Sequence, residues 1–241
     1  MSSEDYKDYR EPDIVTLQTS GTQYIDGTDN NAENLEKAGF TIDLTGDNKV
    51  NGEDFKKQIQ KEFNSMVASV SKYGGFYVGR YEISLEENKA QSKQDKDPVT
   101  NITWYDAYKI SKTYSQTGIV SEMIWGCQWD AMLRFILKGE DKEYVTKSDY
   151  VGDQHTGIDN MYRTGGTNYP ESASIPYQDI ANNIYDLSGN LMEWTQEAGW
   201  LEGRVFRGGH YINKAAPADR TVVASIKSYH IYCSRLALYI Q

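Results

Sequence analysis

The chain has 241 residues, enough for one large domain, or one domain with an added module, around a buried core. Its net charge of −10 argues against nucleic acid and an anionic membrane surface as main partners. No apolar run approaches the length of a membrane span, and residues 1–5 lack the features of a signal peptide. Two cysteines are too few for a disulfide framework. We therefore expect that the chain is made in a reducing cytoplasm and that both cysteines are buried free thiols, with a single disulfide bridge as the alternative. Later exposure on a phage particle or a cell surface is compatible with this expectation.

An oxygen-rich segment lies at residues 43–54, which read DLTGDNKVNGED. Oxygen-bearing side chains occupy its first, third, fifth and twelfth positions, as a hard cation with roughly six to eight ligands requires. The segment resembles a single dockerin-type (EF-hand-like) calcium repeat, although a dockerin normally carries a pair of repeats. An acidic turn that caps the following helix is the alternative. The expected calcium ligands are the side chains of Asp43, Thr45, Asp47 and Asp54 and the carbonyl oxygen of Lys49.

Apolar residues recur at helical spacing between Phe55 and Val70, which predicts a helix that ends before Gly74. The run from Phe76 to Ile83 reads as a strand. We therefore place a boundary at the end of this helix, between an N-terminal module (residues 1–72) and a larger domain (residues 73–241). Two further helices are predicted, one from Asp106 and one over residues 128–137. The inner face of the second would consist of Trp129, Met132, Leu133 and Ile136.

Two segments carry the strongest resemblance to a known family. Residues 183–194 read NIYDLSGNLMEW, and residues 204–209 read RVFRGG. Both resemble the signature of the formylglycine-generating-enzyme (sulfatase-modifying factor) family, and PVTNITWYDA at residues 98–107 resembles another of its segments. The resemblance covers residues 73–241. It implies an α+β fold of the C-type lectin type, preceded here by the small helical module.

The same resemblance implies a second calcium site, because relatives bind a structural calcium ion within the turn of this signature. Carried over to this chain, the ligands would be the side chains of Asp186 and Glu193 and the carbonyl oxygens of Gly189 and Leu191. Two carboxylates placed around a glycine-bearing turn can converge on one ion. The alternative is that both carboxylates accept hydrogen bonds from nearby backbone groups.

The enzymes of this family use a pair of cysteines beyond the RGG segment to bind copper, since copper(I) prefers sulfur ligands. In this chain the corresponding positions fall close to Asn213 and Ala218, and neither side chain can bind copper(I). Related non-haem iron oxidases use a histidine-rich site, but only His155, His210 and His230 occur here, without an HxxxH pair. We therefore predict that the chain is not an enzyme and binds neither copper nor iron.

The C-terminal segment resembles the variable region of proteins that are diversified by retroelements. The matching ends are RGGHY at residues 207–211 and SRLALYI at residues 234–240. The residues between them follow neither the alternation of a strand nor the stripe of a helix. The candidate variable positions are His210, Ile212, Asn213, Asp219, Thr221, Val222, Ser228, Tyr229, His230, Ile231 and Tyr232.

These features predict a non-enzymatic binding protein whose C-terminal surface recognises a protein or glycan on a cell surface. The resemblance implies a phage or prophage protein used in host attachment. Three alternatives stay open: a metal-dependent oxidase of the same superfamily, a dockerin-like surface component, and an ordinary domain of fixed specificity with a long loop.

Overall fold

The computed structural model describes residues 52–139, 145, 180–198, 203–210, 215–224 and 227–241. Within these ranges the helices are α1 (Gly52–Tyr73), α2 (Trp104–Ser111) and α3 (Gly126–Leu137). The strands are β1 (Tyr77–Val78), β2 (Ser84–Glu86), β3 (Lys89–Gln91), β4 (Ile119–Met123), β5 (Ile180–Ala181), β6 (Ile184–Tyr185), β7 (Met192–Ala198), β8 (Gly203–Arg207), β9 (Arg220–Ala224), β10 (Tyr232–Ser234) and β11 (Leu236–Ile240). This mixture confirms the α+β class.

Two sheets meet near the C-terminal end of the chain. β1, β11 and β4 form an antiparallel sheet in that order, and β10, β7, β8 and β9 form the second sheet. β10 runs parallel to β7, whereas β8 is antiparallel to both of its neighbours. Arg235 alone separates β10 from β11. The chain therefore leaves one sheet and enters the other at this residue, which we call the sheet crossing.

The amphipathic helix α1 buries one face in the main hydrophobic core. The buried positions recur every third or fourth residue and are Phe55, Ile59, Phe63 and Met66. The ring of Phe55 packs edge-on against Trp104 of α2, with 5.9 Å between the ring centroids. The helix ends at Gly74, whose φ of +81° favours glycine. The predicted helix and its end are confirmed, and α1 shares its core with α2 and β7. The division between residues 72 and 73 stays a prediction.

The segment from Phe76 to Ile83 forms a shorter strand than predicted, because only β1 pairs regularly with β11. Beyond β1 the backbone still follows the C-terminal strands: the Gly79 N–H donates to the Leu236 carbonyl and the Ile83 N–H to the Ser234 carbonyl. A Cβ at Gly79 would lie 2.9 Å from the hydroxyl oxygen of Ser92. The close approach at Gly79 and the sheet crossing at Arg235 interrupt the pairing of this segment with the C-terminal strands. The prediction of one continuous strand was therefore wrong.

The two later helices occupy their predicted places with small shifts. α2 begins two residues before Asp106, because Thr103 is the N-cap and forms a capping box with Asp106. α3 buries the whole predicted inner face around Trp129, whose indole N–H donates to the Pro217 carbonyl at 2.8 Å. None of the described helices combines the length and hydrophobicity needed to span a bilayer.

Candidate functional site

A buried ion pair holds the sheet crossing together. The Arg235 side chain is 0% exposed, and its Nε donates to the Glu193 carboxylate of β7 at 2.9 Å. Its two terminal nitrogens donate to the carbonyl oxygens of Gly79, at 2.9 Å, and Tyr185, at 2.6 Å. The guanidinium therefore links β7, β6 and the segment after β1, and it supplies a fixed positive charge inside the protein.

Two further groups complete an acidic cluster, defined as Glu82, Glu193 and Cys233. One ligand atom from each of the three lies within 4.8 Å of the others, and all three residues are buried. Glu82 accepts hydrogen bonds from the Asn190 side chain at 2.5 Å and from the Leu191 N–H at 3.2 Å. The Cys233 thiol lies 3.5 Å from a carboxylate oxygen of Glu82.

Burial dominates the electrostatics of the acidic cluster. It raises the pKa of Glu193 to about 7, against the opposing effect of Arg235. Burial, and then the nearby charges of Asp186 and Glu193, raise the pKa of Glu82 well above its usual range. The pKa of the Cys233 thiol is also raised by burial and then by Glu82, so the thiolate is disfavoured.

The cluster could hold a metal ion, and its donor atoms do not select calcium. Calcium prefers roughly six to eight oxygen ligands, whereas this cluster supplies two carboxylates and a thiol whose ionised form is disfavoured. Arg235 already neutralises part of the charge of Glu193.

The predicted calcium ligands of the signature turn lie beside this cluster. Asp186 is buried and has a φ of +61°, and Asn190 has a φ of +53°, a left-handed conformation that Asp and Asn tolerate better than other side chains. Asp186 influences the pKa of both Glu82 and Glu193, which places its charge near theirs. The carbonyl oxygens of Gly189 and Leu191 belong to the same buried turn.

Most of the other predicted calcium loop lies outside the described residues. Asp54 falls in the first turn of α1, but only its backbone is described. The ligands outside the described residues are Asp43, Thr45, Asp47 and Lys49. This calcium loop stays a prediction.

The candidate variable positions differ in exposure. Ile212 and Asn213 lie outside the described residues, and His210 and Tyr232 are buried. The remaining seven are exposed or half-buried. They lie on or beside β9, at one edge of the second sheet, and in the segment before β10, at its other edge. We refer to these predicted positions as the binding surface: Asp219, Thr221, Val222, Ser228, Tyr229, His230 and Ile231. Burial, and then the charge of His230, lower the pKa of His210. His210 is therefore neutral near pH 7.

Aromatic stacking supports the binding surface from below. The ring of Tyr229, a residue 49% exposed, packs edge-on against buried Tyr232 at 5.3 Å between centroids. Tyr232 packs in turn on Phe206 at 4.2 Å, and Phe206 stacks on Trp194 at 3.6 Å. An exposed ring thus rests on three buried rings that belong to the main core.

A second network fastens β9 to the domain. This ion-pair framework joins the buried residues Asp130, Glu197 and Arg207 to the more exposed Arg220. Arg207 of β8 donates to Asp130 of α3 at 2.7 Å and lies 3.4 Å from Glu197 of β7. Arg220 of β9 donates to Glu197 at 2.8 Å and also contacts Asp130. Burial raises the pKa of Glu197, and the two arginines oppose this effect. Two arginines thus balance two carboxylates beside the binding surface.

The family model of the Sulfatase-modifying factor enzyme 1-like domain matches residues 3–230. The chain belongs to this family. Sulfatase-modifying-factor-like domains occur both in enzymes and in non-enzymatic variable proteins, so membership by itself does not assign catalysis. The family resemblance found from the signature segments is confirmed by this match. A search of the curated proteins gives no significant match.

Three solved structures are similar to this chain at low sequence identity. Treponema denticola variable protein 1 is 14% identical, covers 64% of this chain and 74% of its own, and has a TM-score of 0.39. CarF is 17% identical, with 76% of this chain and 83% of its own covered and a TM-score of 0.42. PvdO from Pseudomonas aeruginosa is 14% identical, with 73% of this chain and 76% of its own covered and a TM-score of 0.37.

Sequence reasoning missed Glu82, Arg235 and the ion-pair framework. The available signals were single charges in strand-like runs, such as the glutamate of GRYEIS and the arginine of SRLALYI. A charge between apolar residues of a strand indicates a buried ion pair when the opposite charge also occurs within a strand. Glu193 provides that charge inside the LMEW segment.

Proposed function

We propose that this chain is a non-enzymatic member of the family whose binding surface recognises a protein or glycan on a cell surface. The observation that carries the proposal is the exposed ring of Tyr229 resting on buried Tyr232. A tyrosine held in this way offers a large contact area and a hydroxyl group at little entropic cost, as paratope tyrosines do.

The chemistry of the binding surface supports contact with a polar ligand. It combines one acidic residue, two hydroxyl side chains, an imidazole and a tyrosine with the aliphatic side chains of Val222 and Ile231. Such a mixture supplies both hydrogen-bonding groups and apolar area for a ligand. The ion-pair framework and the core rings hold the backbone beneath it, so the surface is preorganised.

The thiols of the chain support a non-enzymatic role. Ala218 and Asn213, near the positions where the enzymes carry their cysteines, have no thiol. The existing cysteines, Cys127 and Cys233, are both free and buried. Since burial disfavours the thiolate of Cys233, this residue is a poor nucleophile and a poor copper ligand in its present surroundings.

The acidic cluster favours one second candidate, a metal-dependent oxidase, because it could hold a divalent ion. We propose instead that any ion bound there is structural. Calcium is the ion that the family resemblance implies for the neighbouring turn that holds Asp186 and Glu193. Elemental analysis of the purified protein distinguishes the candidates. Calcium or zinc alone agrees with the structural role, whereas bound copper or iron together with oxygen uptake in the presence of a thiol peptide would establish the oxidase.

Binding to intact cells and to a glycan array tests the proposed function directly. Tyr229→Ala should reduce binding at least about tenfold, in the range expected for an aromatic hot spot. Tyr77→Ala is the matched control, because Tyr77 is 62% exposed but lies on β1, outside the binding surface. Equal binding by both variants and the parent would refute the role of this surface.

Sequencing of the gene across its carriers tests the proposed diversification. We expect variation at the codons of the binding surface, with the ends at residues 207–209 and 236–240 unchanged. If the codons for residues 210–233 are as invariant as those of the core, the surface has a fixed specificity. The diversification proposal would then be rejected.

A further inference from the structure

A cleft of about 420 Å³ lies between α1, the end of α2, β4 and β11. Its volume falls in the range of small-molecule sites, roughly 300–1,000 Å³. None of its lining residues belongs to the binding surface, the acidic cluster or the ion-pair framework. Any ligand of the cleft would therefore be distinct from the cell-surface ligand and from a structural ion.

Glu122 of β4 lines the cleft and is only 2% exposed. Its carboxylate accepts hydrogen bonds from the Tyr239 hydroxyl at 2.7 Å, the Trp125 indole N–H at 2.9 Å and the Gln196 amide at 3.3 Å. These donors are all neutral, and no described lysine or arginine forms an ion pair with Glu122. A buried carboxylate held in this way is placed to receive a cationic group from a ligand.

The other charged groups of the cleft divide into a pair and a single lysine. Glu62 of α1 accepts from the Tyr108 hydroxyl at 2.8 Å and is paired with Lys112. Lys61 also lines the cleft and is exposed, and the described residues give it no carboxylate partner. The cleft therefore offers one carboxylate and one ammonium group that are not neutralised by each other.

The remaining lining supplies walls of two kinds. Ile119 and Val120 of β4 contribute half-buried aliphatic surface. Tyr114, Ser65 and Gln58 contribute hydroxyl and amide groups. The cleft has two acidic and two basic side chains when Glu62 and Lys112 are included, so its net charge is zero. This balance matches a ligand that carries one positive and one negative charge.

We propose that this cleft binds a free α-amino acid, whose ammonium group pairs with Glu122 and whose carboxylate pairs with Lys61. The side chain of the ligand lies on Ile119 and Val120. This assignment is independent of the proposed function of the binding surface, because the two sites share no residue.

Titration of the full-length protein with each standard amino acid, followed by ligand-observed NMR and calorimetry, tests the proposal. At least one aliphatic amino acid should bind. If leucine is the ligand, 4-methylpentanoate and 3-methylbutylamine, which each lack one of its charges, should bind at least about tenfold more weakly. The proposal fails if no amino acid binds, or if the amine alone binds as tightly as the amino acid.

Three variants locate the site. Glu122→Gln and Lys61→Met should each weaken amino-acid binding at least about tenfold. Lys57→Met is the matched control on the same helix, α1, because Lys57 is exposed and does not line the cleft. Since Lys61 and Lys57 are both exposed, neither change should disturb folding. Equal affinity of the Lys61 and Lys57 variants would overturn the assignment, even if Glu122→Gln were unstable.

Discussion

Replacing Arg235 with methionine tests whether its guanidinium is the internal cation that stabilises the sheet crossing. The side chain is 0% exposed and donates to the Glu193 carboxylate and to the carbonyl oxygens of Gly79 and Tyr185. Methionine keeps much of the volume but removes the charge and every one of these hydrogen bonds. Glu193 is left buried without its cation, and such a change lowers the free energy of unfolding by about 3–5 kcal/mol.

A double-variant cycle separates the charge from the backbone contacts. Adding Glu193→Gln to the Arg235→Met protein removes the uncompensated carboxylate, but the carbonyl oxygens of Gly79 and Tyr185 still lack their donor. Each lost backbone contact costs about 1 kcal/mol. We therefore expect the second substitution to recover about 1–3 kcal/mol in the Arg235→Met background, although alone it destabilises the protein.

Urea unfolding of the four proteins, followed by fluorescence of the buried tryptophans, measures the cycle. In Arg235→Met the pKa of Glu193 should rise above the value of about 7 that it has beside the guanidinium. The variant should then regain stability as the pH falls from above 7 to about 4.5, since in this window the folded variant keeps Glu193 protonated whereas the unfolded chain loses that proton. A loss below about 1 kcal/mol, or a double variant no more stable than Arg235→Met, would refute the reasoning.

A turn, the core and a buried carboxylate each give a further prediction. Gly208 has a φ of +72° and an added Cβ would collide with the Leu187 carbonyl oxygen, so Gly208→Ala should cost about 2–4 kcal/mol in the same urea assay. Gly75→Ala, with no atom within 4 Å of the new Cβ, should cost less than about 1 kcal/mol and serves as the control. Phe55→Ala should lower the free energy of unfolding by about 3–5 kcal/mol. A loss smaller than that caused by an alanine substitution at an exposed position of α1 would show that this helix does not belong to the core. Because burial raises the pKa of Glu193 from 4.5 to about 7, its contribution to stability is fully present below pH 4.5 and is lost as the pH rises through 7. The thermal midpoint of the parent should therefore fall relative to that of Glu193→Gln across this window, and parallel profiles would contradict the prediction.

Periodicity was sufficient to locate α1 and α3, because each helix buries one stripe of apolar side chains. The four predicted inner positions of α3, from Trp129 to Ile136, are all buried. The strand at Phe76–Ile83 was less predictable, since the ladder depends on its partner as much as on its own residues. Opposite it the chain changes sheets at Arg235, and this change has no signal within the segment itself.

The acidic cluster depends on contacts between distant parts of the chain. Asn190, which donates to Glu82, lies 108 residues further along the chain. The family resemblance implied that Asp186 and Glu193 would lie close together around the signature turn, and the structure buries both residues. Cys233 and Glu82 lie outside that turn, and only the pairing of β10 with β7 and the course of the chain after β1 bring them to it.

The acidic cluster and the ion-pair framework explain how the binding surface can be separated from the stability of the domain. Arg220 begins β9 and is fixed by Glu197 and Asp130, while its neighbour Thr221 is exposed. Thr221→Ala should therefore change the free energy of unfolding by less than about 0.5 kcal/mol, whereas Arg207→Met should cost about 3–5 kcal/mol because it leaves two buried carboxylates with one cation. A surface whose exposed positions contribute little to folding can change its side chains freely, and this independence is what a diversified binding surface requires.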